Sequence, residues 1–243
     1  MRGGALCLAL GVATSACASW GGSSEPGDVI RRIVPSTVQL RAEREGGARR
    51  AGSGVVLACD TSSKRCWILT TRHFLEPSTR QDVYVSSPTR KGRVRAAVTA
   101  VSPDLDLAVV EVQGIQLPPV RLKDIVRLGD EVWVAAFPWG RQLTVVSGVV
   151  SQLRTEEGEQ PMEGTIRMVD ASVSYGASGG GVFDAETGSL VGIVEGYRTA
   201  QVSVPESPDR VLQLPVAGET IVIPARSIAE FLTTSGLGEL LSR

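Results

Sequence analysis

The sequence predicts an all-β chain folded as two six-stranded antiparallel β-barrels followed by one C-terminal helix. Three observations carry that expectation. The chain has 27 glycines and only 5% aromatic residues, a composition that suits short strands joined by tight turns better than a helical bundle. Runs of β-rich or alternating character lie near 36–42, 53–59, 66–71, 82–87, 92–101 and 106–112, and again near 130–136, 143–151, 165–170, 180–184, 189–195 and 220–224. Between the two sets lies Gly114 through Pro118-Pro119, a break in pattern with a short linker to Leu128.

In chain order, residues 1–16 form a leader. Arg2 precedes the apolar run Ala5-Leu6-Cys7-Leu8-Ala9-Leu10-Gly11-Val12-Ala13, too short to span a bilayer and followed by small residues, as in a secretory signal peptide. Thr14-Ser15-Ala16-Cys17 resembles a bacterial lipobox, in which cleavage before Cys17 leaves a lipid-bearing N-terminus; ordinary cleavage near Ala16 or Ala18 is the alternative. Residues 17–27, rich in Gly and Ser, suit a flexible tether between membrane and fold. The first barrel is expected over 28–117 and the second over 118–223. Residues 224–243 suit a helix opened by Pro224, with Ile228, Phe231 and Leu232 at roughly helical spacing. The segment from Arg198 to Glu219, with three prolines, reads either as a mobile flap or as a disordered surface loop.

Cysteine usage agrees with export. With Cys7 in the leader and Cys17 at the lipobox, only Cys59 and Cys66 remain, flanking a turn-rich loop between two apolar runs. That placement suits a hairpin disulfide in an oxidising compartment, with two free thiols as the alternative. Zinc is not expected, since two cysteines without a nearby histidine supply too few ligands. The 25 basic and 26 acidic residues nearly cancel, so nothing points to nucleic acid or to an acidic partner.

The chemistry concentrates in Gly176-Ala177-Ser178-Gly179-Gly180 and in His73, the only histidine of the chain. A serine hydroxyl is a poor nucleophile near neutral pH and needs a base that titrates there, which histidine does unperturbed. The small residues around Ser178 allow a tight turn and leave the amides of Gly176 and Ser178 free to converge on one point, as an oxyanion hole requires. An acid must orient the imidazole, and Asp104 and Asp106 compete for that post. Asp170 lies near the serine but reads as a hydrogen-bond partner of the loop backbone. Phe137 and Trp139, flanking Pro138, read equally as packing or as substrate contacts.

Seven segments in order resemble the chymotrypsin-like serine proteases, and among them the bacterial HtrA/Deg-type branch. Asp28-Val29-Ile30 through Val38 is similar to that branch's entry helix and first strand, and Gly52-Ser53-Gly54-Val55-Val56-Leu57 to its glycine-rich strand. Ile68-Leu69-Thr70-Thr71-Arg72-His73 resembles the histidine motif, and Asp106-Leu107-Ala108-Val109 the aspartate motif, which selects Asp106 over Asp104. Gly129-Asp130-Glu131-Val132 with Ala136-Phe137-Pro138-Trp139-Gly140, then Asp170-Ala171 through Gly180 with Leu190-Val191-Gly192-Ile193-Val194, resemble the strands and loops around the nucleophile. Ile223-Pro224-Ala225-Arg226-Ser227-Ile228 is similar to the start of the terminal helix.

The resemblance implies an exported bacterial envelope endopeptidase, periplasmic and lipid-anchored or secreted, acting on polypeptides without metal or cofactor. It further implies a His73–Asp106–Ser178 triad, an oxyanion hole at Gly176 and Ser178, and possible trimers. It places the substrate pocket at Ser172, Val173 and Ser174 and at Glu195, Gly196 and Tyr197. Ser172, where trypsin-like cleavage after Lys or Arg usually needs an acid, argues for small or medium apolar residues before the cut, although Glu195 would favour a basic group at some subsite. Three departures stand out. Ala177 replaces a residue whose side chain could hold the nucleophile loop, Tyr175 is bulky for its place, and no PDZ domain follows the terminal helix before Arg243. Ala177 and Tyr175 keep open a non-catalytic, peptide-binding or chaperone-like module on the same scaffold; a structural envelope lipoprotein rests on the leader alone.

Overall fold

The computed structural model describes residues 25–44, 46–77, 81–155, 161–204 and 207–242. The leader, Cys17 and the tether up to residue 24 lie outside the described residues. The tether expected to reach residue 27 gives way earlier, because helix α1 (Pro26–Ile33) starts at Pro26, whose fixed φ suits a first helical turn.

The first barrel is closed by β1 (Thr37–Arg44), β2 (Arg49–Asp60), β3 (Arg65–Thr70), β4 (Gln81–Ser86), β5 (Val94–Val101) and β6 (Ala108–Gln113), in the order β1-β2-β3-β6-β5-β4. Its interior is filled by alternating apolar side chains such as Val38, Leu40, Val56, Ile68, Val85, Val110 and Val112. Cys59 and Cys66 face each other across the β2–β3 ladder and are joined by a disulfide, so the free-thiol alternative falls away.

The second half contains β7 (Ile125–Arg127), β8 (Glu131–Ala136), β9 (Thr144–Leu153), β10 (Glu163–Asp170), β11 (Gly181–Asp184), β12 (Leu190–Val204) and β13 (Ser207–Pro224). The order β13-β12-β11-β8-β9-β10 is closed into a second six-stranded antiparallel ring by pairing of β13 with β10. The short strand β7, not anticipated, hangs on the outside of that ring against Glu163–Thr165 of β10. Helix α2 (Ala225–Thr234) follows, then a 3-10 turn over Gly238–Ser242. The terminal helix is therefore interrupted where Gly236 takes φ +74°, a conformation that ends helices.

A further apolar cluster joins the barrels. Val29 and Ile33 of α1, Val55, Trp67 and Leu69 of the first barrel, Leu190 and Ile193 of the second, and Ile228, Phe231 and Leu232 of α2 pack together, all buried. The loops that carry chemistry hang over the seam this cluster holds together.

One expectation is corrected outright. The segment 198–219, read as a flap or a disordered loop, continues β12 and β13 as an antiparallel hairpin, with Thr199–Ser203 paired to Val211–Pro215. Of its three prolines Pro208 and Pro215 sit in β13 and Pro205 lies outside the described residues, while β12 has the Thr199-Ala200-Gln201-Val202 run expected of a strand.

Candidate active site

His73 lies on a short 3-10 turn (Arg72–Leu75) directly after β3, and Asp106 lies just before β6, the neighbour of β3 in the barrel. The ladder thus brings the two residues together. Nδ1 of His73 is 2.6 Å from Oδ2 of Asp106, and the backbone N–H of His73 donates to Oδ1 at 2.7 Å. Both carboxylate oxygens serve one residue, which leaves the ring little freedom to turn and makes Nδ1 the protonated nitrogen. Burial of Asp106 works against its charge, but the ring and backbone hydrogen bonds from His73, with the charges of His73 and Arg72, hold its carboxyl below the usual value. Arg72 also donates to the carbonyls of Ser102 (3.0 Å) and Pro103 (2.6 Å), bracing the turn that presents Asp106. Asp104 is exposed and does not touch the imidazole.

Ser178 comes from the second half, in the turn between β10 and β11. Gly179 takes φ +83°, and a Cβ there would lie 2.1 Å from the Ser53 carbonyl oxygen, so only glycine fits. The turn is pinned from three sides. The Gly179 N–H donates to Val194 O (2.8 Å), the Ser53 N–H donates to Ser178 O (3.0 Å), and the Ala177 N–H donates to Ser174 O (3.0 Å). The Trp139 N–H donates to Tyr175 O at 2.7 Å. Because a trans peptide points its N–H opposite to its C=O, the Gly176 N–H is turned away from the Trp139 loop. The Ser53 hydroxyl donates to Gly176 O (2.8 Å) and accepts from the Phe137 N–H (2.8 Å), fully buried. Ala177, itself buried, supplies no side-chain hydrogen bond; Ser53 fills that bracing role from the other barrel.

A cavity of about 270 Å³ is lined by His73, Ser178, Tyr175, Gly176, Glu195, Gly196 and Tyr197, with Arg50, Ala51, Gly52 and Phe74 on its other wall. It therefore collects His73, the serine and the later half of the expected pocket. Ser172, Val173 and Ser174 do not line it: Ser172 is exposed and Val173 packs against the core of the second barrel. Asp170 differs as well, since its carboxylate lies against Gly218 of β13 and not on the loop backbone. Phe137 is buried packing, whereas Trp139 is 64% exposed and leans on Tyr175 with ring centroids 5.4 Å apart. A larger cavity, about 710 Å³, lies between Lys123, Arg127 and Glu186 and contains none of His73, Asp106 or Ser178.

Glu195 is the extra residue of a β-bulge, since Val194 pairs with Val222 and Gly196 with Ile221. The bulge aims its side chain at the cavity. Burial and the negative charge of Asp106 raise the Glu195 carboxyl, against the opposing pull of Arg154 and His73. Two contributors escaped the sequence reading of the site: Ser53, whose only signal was its place in Gly52-Ser53-Gly54, and Arg72, adjacent to His73. Among the described residues no group of three His, Cys, Asp or Glu side chains could hold a metal ion.

Residues 52–193 match a family model described as "Trypsin-like peptidase domain". Among curated proteins, the chain is 29% identical over 223 residues to "Serine protease PepD" of Mycobacterium tuberculosis, covering 86% of this chain and 46% of that protein. It is 26% identical over 170 residues to "Probable periplasmic serine endoprotease DegP-like" of Ectopseudomonas mendocina, covering 68% of this chain and 33% of that protein. The chain thus spans about a third of the length of the DegP-like relatives it matches. Among solved structures, it superposes on an HtrA-type protease with a tripeptide (TM-score 0.63, 23% identity, 87% of this chain and 63% of that one). It also superposes on the active form of a protease from M. tuberculosis (TM-score 0.64, 22% identity, 86% and 84%). These likenesses carry the fold.

Proposed function

Because this chain belongs to the trypsin-like peptidase domain family, we propose that it is a serine endopeptidase that cuts polypeptides through an acyl-enzyme at Ser178. The observation that carries the proposal is the grip of Asp106 on His73 by ring and backbone hydrogen bonds, in the cleft that Ser178 also faces. With Nδ1–H held by Asp106, Nε2 is the free base that takes the Ser178 proton as Oγ attacks the scissile carbonyl. The imidazolium, stabilised by the Asp106 charge, then hands that proton to the leaving amine. Water repeats the sequence to release the acid and restore Ser178. The Gly176 and Ser178 amides receive the oxyanion, with Gly176 oriented by the Tyr175 and Ser53 contacts.

The same reading places the protein in the bacterial envelope. The apolar leader, the disulfide and the similarity to relatives named periplasmic endoproteases support export. Anchoring through Cys17 rests on the sequence of residues 14–17. We assign residues 28–117 and 118–223 to the two barrels and the active site to their seam.

The test is labelling of the purified mature protein with a fluorophosphonate probe, which reports an activated serine without a substrate. Labelling of wild type that disappears in Ser178→Ala and His73→Ala is expected. A folded wild type that fails to label would leave a peptide-binding scaffold in place of an enzyme.

A further inference from the structure

The cleft between the barrels has walls of opposite charge. The second barrel contributes Glu195, and the first contributes Arg50, near the start of β2. The triad chemistry uses neither. Arg50 is half-buried, and its Nη1 donates to the carbonyls of His73 and of Glu76, the latter at 2.9 Å. The Glu76 carbonyl also accepts from Arg44, and the Glu76 carboxylate lies 3.3 Å from Nε of Arg72. One nitrogen of the Arg50 fork thus braces the turn that carries His73. Among the described residues, its Nε and Nη2 make no hydrogen bond and no carboxylate pairs with the guanidinium. A guanidinium held through one nitrogen and lacking a counter-ion presents the rest of its rigid fork to a carboxylate.

The triad also fixes which part of a substrate passes Arg50. The acyl part stays bonded to Ser178, with its oxygen at the Gly176 and Ser178 amides, on the second-barrel wall. The leaving amine takes its proton from Nε2 of His73 and so departs along the first-barrel wall, formed by His73, Phe74, Gly52, Ala51 and Arg50. The Trp139 loop abuts that wall. A Cβ on Gly140 would lie 2.2 Å from Cβ of Ala51, so loop and strand are in contact, and Trp139 leans on Tyr175 of the opposite wall. The leaving chain therefore meets Arg50 in a mouth bordered by aromatic rings. A charge pair partly screened from water there counts for more than one on an open surface.

We propose that Arg50 is a specificity-determining residue that takes a carboxylate on the leaving part of the substrate, supplied by an acidic side chain just after the cut or by the C-terminus of a chain cut close to its end. This rests on the peptidase reading above and gives it a preference beyond the scissile bond. Glu195 on the opposite wall repels the same carboxylate, so the two walls orient the bound chain with its acidic group toward the first barrel. Because Nη1 of the same guanidinium holds the His73 carbonyl, the substrate carboxylate docks on Nε and Nη2, against the group that braces the catalytic base.

The test is cleavage of four peptides by the purified protein, with the products after Val read by mass spectrometry. Three are acetyl-Ala-Ala-Ala-Val-X-Ala-Ala-amide with Glu, Gln or Lys at X, and the fourth is acetyl-Ala-Ala-Ala-Val-Gln with a free C-terminus. A kcat/KM for the Glu peptide about ten-fold or more above that of its Gln counterpart is expected. The fourth peptide separates the two sources: an advantage for it alone assigns the site to chain termini, and an advantage for the Glu peptide alone assigns it to acidic side chains. Arg50→Lys keeps part of the preference, Arg50→Gln removes it, and Arg50→Glu turns it toward the Lys peptide. Labelling with an uncharged fluorophosphonate is measured for each variant, and a loosened His73 turn, which slows all four peptides alike, divides out of the ratios. Equal cleavage of the four peptides by wild type overturns the proposal, as does a Glu preference that Arg50→Glu leaves in place. So does a wild type that labels with fluorophosphonate yet cuts none of the four. Failure of the peptidase reading is told apart from these, as wild type that does not label.

Discussion

Ser53 of the first barrel and Gly176 of the second are joined by a buried hydrogen bond of 2.8 Å from the Ser53 hydroxyl to the Gly176 carbonyl. The backbone N–H of Ser53 donates to Ser178 O, two residues further on. One residue of the first barrel thus sets the nucleophile turn of the second, and the shape of that turn depends on how the barrels dock.

Ser53→Ala leaves the Phe137 N–H and Gly176 O without their buried partner. A loss of about 1–3 kcal/mol of stability is expected, the cost of stranding buried polar groups. Fluorophosphonate labelling slows by more than the stability loss explains, because the Gly176 peptide is no longer held. Urea denaturation beside labelling rates at a temperature where both proteins are folded separates the two effects; unchanged labelling would dismiss the bracing role.

Asp106→Asn keeps the shape but removes the charge and the acceptor that selects the Nδ1–H tautomer. A drop in labelling rate on the order of 10⁴-fold is expected. Asp104→Asn, two residues away and exposed, serves as the matched control and stays near wild type. Equal losses in the two variants would contradict the assignment.

Glu195→Gln tests the charge in the cleft. Burial and Asp106 raise the folded carboxyl above its reference of 4.5, so folding favours the protonated form. Below pH 4.5 the acid is neutral in both states and the substitution changes little. As pH rises from 4.5 through the folded value, the wild type acquires a penalty that the amide lacks. The melting-temperature gain of Glu195→Gln therefore grows as pH rises from the reference value of 4.5 to the raised folded value and levels off above it; a gain independent of pH would reject this account.

Replacing Cys59 and Cys66 together by serine opens a loop of sequence separation 7. Loss of about 2.5 kcal/mol is expected from restored freedom of the unfolded chain. An unshifted denaturation midpoint would show that the β2–β3 ladder alone fixes the hairpin.

The sequence by itself determined the all-β class, the division into two sets of strands, the Cys59–Cys66 pairing option and the order of the His73, Asp106 and Ser178 segments. Those readings rest on local signals: period-two alternation, glycine where φ is positive, and short motifs whose residue types are dictated by chemistry. The arm at 198–219 was hidden because its three prolines mimic a loop, and only the ladder shows that Pro208 and Pro215 belong to a strand. Tertiary structure also decided which half of the expected pocket meets the serine. Glu195, Gly196 and Tyr197 line the cleft, while Ser172 turns outward and Val173 into the core. The choice of Asp106, which motif resemblance favoured, becomes physical only when β3 and β6 lie side by side and bring the carboxylate to His73. Ser53 is the clearest case: a small residue between two glycines has no local reason to matter. Its hydroxyl is committed to Gly176 and Phe137, 123 and 84 residues away, by the docking of two barrels that the sequence encodes only collectively.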